Sequence, residues 1–186
     1  MSRRAAPCIW KGLASKDYLR LSEITASKLW RGQSAQSFRE MIRQRKLVPG
    51  IQIVFDFLHR HGIATAIVSS GPYQLAERAQ ALFSITDIRA NRLDIDGRGI
   101  FVGTVEVQVL DNAKQIAGKA LQERFGATFE TTAMIGDSAS DQALASIASL
   151  SIAYDADCAD FLQACNHRLN SGEMERAVAL LAARVQ

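Results

Sequence analysis

Three groups of side chains along this chain have types and spacings that could do chemistry, and all three point to a phosphorylated ligand or a metal. The first is Gly136-Asp137-Ser138-Ala139-Ser140-Asp141, which follows the apolar run of residues 132–135. Two carboxylates four residues apart suit a hard divalent cation such as Mg2+, which takes a few carboxylate oxygens and keeps waters. The plainer reading is an Asp-rich loop in which Asp141 opens the next helix. The second is Ser69-Ser70-Gly71, behind the apolar run of residues 63–68 and ahead of a helical stretch. Hydroxyls and backbone N–H groups at a helix start favour an anion, although a tight turn with a helix cap needs the same residues. The third is Lys114, which falls in the first turn of an amphipathic stretch. A cation there opposes the helix dipole, so it is either a tolerated surface lysine or one that reaches an anion.

These groups must be positioned by strands and helices. Residues 14–46 have apolar positions at roughly helical spacing, with a break between Gly32 and Ser37. Pro49-Gly50 closes that region. Beyond it, helical stretches at 51–61, 73–83, 112–125, 141–147 and 172–184 alternate with apolar runs at 63–68, 85–90, 132–135 and 150–154. A hairpin is signalled by Asp96-Gly97 between alternating residues. Alternation of this kind predicts an α/β fold with a mainly parallel sheet and helices on both faces. Ligands bind such sheets beyond the carboxyl ends of the strands, where Ser69 and Asp137 stand. The expected division is a helical region at 1–48 and an α/β core at 49–186.

Composition narrows the partners. With 186 residues, 48% hydrophobic and 22% charged, the chain can fill one core. A formal net charge of +3, with Lys and Arg spread along the chain, argues against a nucleic-acid partner. No stretch approaches the ~20 apolar residues that cross a bilayer. Cys8, Cys158 and Cys165 are odd in number and lack metal-ligand spacing. A cytoplasmic location is the simplest expectation.

The order strand–Ser, Lys on a helix, strand–Gly-Asp with a second Asp resembles the haloacid-dehalogenase superfamily of phosphatases, more closely its phosphoserine-phosphatase branch. The likeness is carried by Ile67-Val68-Ser69-Ser70-Gly71, Ala90-Asn91-Arg92-Leu93, Asn112-Ala113-Lys114 and residues 136–141. It implies a Rossmann-like core with a hairpin insertion and a small helical cap, of which residues 1–48 are a remnant. It also implies that Ser69 bonds a phosphoryl group, that Ser70 and Gly71 offer backbone N–H groups, and that Lys114 neutralises charge. Asp137 would ligate Mg2+, Asp141 would support the metal site, and Arg39 would pair with a substrate carboxylate. The implied activity is hydrolysis of a small phosphorylated metabolite, phosphoserine first.

One part of that pattern is absent. The family's first strand ends in Asp-x-Asp-x-Thr, whose first Asp attacks phosphorus and whose second is general acid and base. Asp56 lies on a helix with Leu58 two places on, and Asp94-Ile95-Asp96-Gly97 reads as a hairpin turn. Asp155-Ala156-Asp157 follows an apolar strand but has Ala159 where Thr is expected, which leaves Asp155 the one candidate nucleophile. The missing strand would be central, so the strands ending at Ser69 and Asp137 should show open edges. A partner chain, a second copy or residues 5–10 could cover them. The expectation is a truncated or inactive phosphatase. The alternative is a non-catalytic protein that binds a phosphorylated ligand or a partner.

Overall fold

The computed structural model describes residues 15–110 and 113–185. They form two compact units, one built from Leu47–Ala64 and the chain from Lys114 onward, the other from Leu13–Lys46 and Thr65–Ala113. Residues 5–10, with Cys8 among them, and Asn112, which entered the sequence reading, lie outside the described residues.

The first unit holds a parallel sheet. Helix α3 (Ile51–Arg60) precedes it in the chain, after α1 (Ser15–Ile24) and α2 (Gln36–Gln44) of the other unit. Gly50 at its start has φ 81°, and a Cβ there would come within 2.5 Å of the Glu175 side chain. Its strands are β4 (Ala133–Gly136), β5 (Leu150–Tyr154) and β6 (His167–Leu169), in that order and all parallel. Four of the five β5 residues are buried, the pattern of a strand covered on both faces. On one side Leu150, Ile152 and Leu169 pack with Val54 and Phe57 of α3 and with Ala177 and Leu181 of α8 (Arg176–Ala182). On the other, Met134 and Ala153 pack with Phe161 of α7 (Ala159–Ala164) and Ala145 of α6 (Gln142–Ala145). Ser151 is buried within β5, and its hydroxyl donates to Asn166 Oδ1 at 2.9 Å, so this buried hydroxyl is not left stranded.

The second unit joins helices to a mixed sheet. Strands β1 (Ala66–Pro72), β2 (Asp87–Ile95) and β3 (Phe101–Glu106) pair in that order, β1–β2 parallel and β2–β3 antiparallel. Helix α4 (Tyr73–Phe83) makes the crossover and packs Ala76 on Ile88 and Ala90. The N-terminal helices are docked by an aromatic trio: Trp30 lies 4.9 Å from Phe101 and 5.7 Å from Phe38, ring centre to ring centre. Backbone bonds from Ala35 N–H to Gly99 and from Gly32 N–H to Phe101 fix them to the hairpin.

The α/β architecture, the hairpin, the helix at 73–83 and the strand at 150–154 agree with the sequence pattern. The strand expected at 63–68 is displaced and covers Ala66–Pro72, so Ser69, Ser70 and Gly71 are extended backbone rather than a turn. Residues 63–65 do other work: Ile63 N–H closes α3 on Leu58, and the Thr65 carbonyl accepts from Thr86 and Asp87. The expected last helix begins later, at Arg176. Among the described residues, β1 is an edge strand of its sheet and β4 of its own. Ile135 of β4 is 37% exposed, unusual for an apolar residue of a parallel strand.

Candidate phosphate and metal site

In the first unit the site is built at the carboxyl end of β4. Gly136 ends the strand, and Asp137, Ser138 and a single 3-10 turn (Ala139–Asp141) follow. Asp141 folds back under this loop. Its Oδ2 accepts from the Ser138 hydroxyl at 3.0 Å and from the N–H groups of Asp137 and Ser138 at 3.2 Å each. This is a reciprocal capping box, in which a side chain at each end satisfies backbone donors at the other. Gly136 is required beside it, since a Cβ there would lie 2.7 Å from Asp141 Cβ.

The remaining oxygen, Asp141 Oδ1, takes Lys114 Nζ at 2.8 Å. Both side chains are more than nine-tenths buried. Lys114 opens α5 (Lys114–Phe125), so the anion that compensates its unfavourable place in the first turn is Asp141. Among the described residues, two of its three ammonium protons are left for another acceptor.

Asp137 differs. More than a third of the residue is accessible, yet desolvation on its inner side and the neighbouring Asp141 charge push its carboxyl above the usual range. Lys114 offsets part of this, and Asp155 adds a smaller repulsion. Asp155 stands at the exposed end of β5 in the left-handed region, φ 48°, with its N–H donated to Leu169. A carboxylate held open beside two others is short of positive charge. Among the described residues no group of three or more His, Cys, Asp or Glu could hold a metal. Mg2+ asks for less: one or two carboxylates, water and substrate oxygens. Asp137 fits that demand as the open ligand. Asp141, with both oxygens bonded to protein, fits the supporting role.

In the second unit Ser69 lies in β1, half-buried, and its hydroxyl oxygen accepts the Gly71 N–H at 3.0 Å. That N–H is therefore engaged rather than open, while the Ser69 hydroxyl proton remains to donate. The residue that shapes this strand end is Asn91 of β2, 5% exposed. Its Nδ2 donates to the carbonyls of Ser70 and Val109, and its Oδ1 accepts from the N–H groups of Gln108 and Val109, all four at 2.9 Å. All four valences of the amide are used. Sequence reasoning quoted Asn91 without assigning it a task, and in a strand that also carries Asp87, Arg89, Arg92 and Asp94 nothing set it apart. Arg39 lies on α2, exposed, with its guanidinium against Gly99.

Among the decoys, Asp56 is on α3 and accepts from Gln52, and Asp96 caps the hairpin turn through the Arg98 and Ile100 N–H groups. His61 Nδ1 lies 2.9 Å from the Phe57 carbonyl at the end of α3, a dipole-complementing position.

Comparison with known proteins gives a family and a fold. The family description "haloacid dehalogenase-like hydrolase" matches residues 4–146. A phosphoserine phosphatase of Haemophilus influenzae is 30% identical over 125 residues, covering 65% of this chain and 39% of that protein. One from Mycobacterium tuberculosis is 28% identical over 126 residues, covering 67% and 31%. The chain thus spans well under half the length of these relatives. Among solved structures, a probable phosphoserine phosphatase from Vibrio cholerae superposes with a TM-score of 0.78 at 22% identity, over 88% of this chain and 50% of that one. A structure described as a phospho-aspartyl intermediate analogue of phosphoserine phosphatase gives 0.75 at 21% identity, over 90% and 79%.

Proposed function

The chain belongs to the haloacid dehalogenase-like hydrolase family, and we propose that it carries the phosphoryl- and Mg2+-binding groups of a phosphomonoester hydrolase acting on phosphoserine. The observation that supports this is the buried Lys114–Asp141 pair beneath the open Asp137 carboxylate at the end of β4. Lys114 presents its free ammonium protons to phosphoryl oxygens. Asp141 acts on both neighbours at once: it keeps Lys114 charged and in place, and it holds the backbone that aims Asp137. Mg2+ held by Asp137 would neutralise developing charge on the phosphoryl oxygens. Phosphoserine is chosen because the curated relatives bear that name.

No residue is placed as the nucleophile. The chain has no Asp-x-Asp-x-Thr, and Asp155 sits in a left-handed turn at the end of β5, next to a metal-binding carboxylate. The 186-residue chain by itself therefore binds phosphate-bearing ligands and turns them over slowly or not at all, since positioning and electrostatics remain without an attacking group. The test is release of phosphate from phosphoserine with Mg2+, for this chain and for Asp155→Ala. Turnover equal to buffer in both is expected. Turnover that disappears in Asp155→Ala would make Asp155 the nucleophile and overturn this assignment.

A further inference from the structure

In the second unit, α1 runs on into a wider-wound helical stretch, Thr25–Trp30. The inner side of this rod is accounted for: Ala26 is buried, and Trp30 stands against Phe101 and Phe38. Its outer side is apolar as well. Leu21, Ile24 and Leu29 are 50, 40 and 67% exposed. Positions i, i+3 and i+8 share one side of a helix, so the three form a single row. Scattered exposed leucines are ordinary on a protein surface, whereas a row of them marks a contact face.

Basic groups border the row. Arg20 and Lys28 are exposed, each one residue ahead of a leucine of the row. Among the described residues Lys28 pairs with no carboxylate. Arg31 follows, laid against the hairpin where a Cβ on Gly103 would stand 2.6 Å from its Nε. Between Ser15 and Lys46 the sequence has eight Lys or Arg and three Asp or Glu, an excess of five positive charges, although the whole chain carries only +3. The helices of this unit are therefore the basic part of a chain that is close to neutral elsewhere. Two copies meeting on this face would bring like charges together. A purely polar anionic partner would leave the leucines in water. A surface that is negative outside and apolar beneath satisfies both.

We propose that this face of α1 docks on an anionic lipid bilayer, with Leu21, Ile24 and Leu29 in the boundary between headgroups and acyl chains and Arg20 and Lys28 at the lipid phosphates. Helices that lie in this boundary combine the same two features, an apolar row and flanking Lys or Arg. The contact is peripheral; among the described residues no helix is long and apolar enough to cross a membrane. Attraction to the bilayer stands apart from the phosphatase reading and uses none of its residues.

The experiment is co-sedimentation of the full chain with large unilamellar vesicles, either phosphatidylcholine alone or phosphatidylcholine mixed with phosphatidylglycerol. The chain should bind the mixed vesicles and not the neutral ones, and salt at about 0.5 M should release it by screening. One basic residue near such a surface is worth about fivefold in partitioning, so Lys28→Glu should weaken binding about tenfold or more. Leu21→Ser and Leu29→Ser together should weaken it at least as much, from the apolar surface no longer buried. Ile116→Ser, on α5 and more exposed than any of the three, should leave binding unchanged. The proposal is overturned if a chain shown folded by circular dichroism does not bind the mixed vesicles, binds neutral ones equally, or keeps parental binding in the double serine variant. It is overturned equally by a dimer in solution that the double variant converts to monomer, since the face would then belong to a second copy. Phosphate release is not the readout, so any of these failures leaves the phosphoryl and Mg2+ assignments standing.

Discussion

Removing the Asp141 carboxylate should be among the most damaging single changes in the first unit. Asp141→Ala leaves Lys114 Nζ, now bonded at 2.8 Å in a site where both side chains are over nine-tenths buried, as an uncompensated charge. Breaking a buried pair from one side costs about 3–5 kcal/mol. The three donors now held by Oδ2 lose their acceptor as well, a capping loss of about 1 kcal/mol. Lys114→Met should cost less, about 2 kcal/mol, because the carboxylate keeps those three donors. The double variant should be more stable than the sum of the singles by about 2 kcal/mol, since it leaves no buried cation alone. Urea unfolding at neutral pH reads this directly. With a typical slope of about 2 kcal/mol per molar, Asp141→Ala should move the midpoint by about 2–3 M. Asp141→Asn, which keeps the shape and loses the charge, should fall between. If Asp141→Ala lies within about 1 kcal/mol of the parent, or the singles add without coupling, the pair is not the structural centre of this site.

Asn91→Ala should cost about 3 kcal/mol, because four backbone groups, the two of Val109 buried, lose their partner together, and a thermal or urea midpoint would show it. Gly136→Ala should destabilise by about 1–3 kcal/mol, since its Cβ would fall 2.7 Å from Asp141, and the same change should weaken Mg2+-dependent phosphate binding. Glu173 is held below the usual carboxylate range by the Asn170 N–H and then by Arg176. Its folded pKa is depressed, so its contribution is present at neutral pH and is lost as pH falls past the ordinary value near 4.5 and through the folded one. Glu173→Gln should therefore lower the midpoint slightly at pH 7 and be indistinguishable from the parent in strong acid.

What was legible in the sequence followed from length and period. Tyr73–Phe83 was long enough to show its helical face, and Leu150–Tyr154 was an unbroken apolar run. The hairpin was announced by Asp96-Gly97, and Asp96 does cap that turn. Strand β1 was misplaced because its polar half, Ser69 to Gly71, carries no apolar signal although its backbone stays extended. Helix α7 and strand β6 are six and three residues long, too short for periodicity to register, and Phe161 alone anchors the former in the core. Asp137, Asp141 and Lys114 were singled out from their order and spacing. That Asp141 holds Lys114 was not, since 27 residues separate them and only the fold brings them to 2.8 Å. Asn91 escaped for the same reason: its partners are backbone groups 17 to 21 residues away.

The central claim is that phosphate binding survives in this chain through Asp137 and Lys114. It is tested most directly by equilibrium binding of inorganic phosphate, followed by calorimetry with and without Mg2+, in the parent, Asp137→Ala and Lys114→Met. The account predicts Mg2+-dependent binding that Asp137→Ala abolishes and Lys114→Met weakens at least tenfold, in variants shown by circular dichroism to be folded. Phosphate binding that needs neither Mg2+ nor Asp137, or no binding by a folded parent chain, would contradict it.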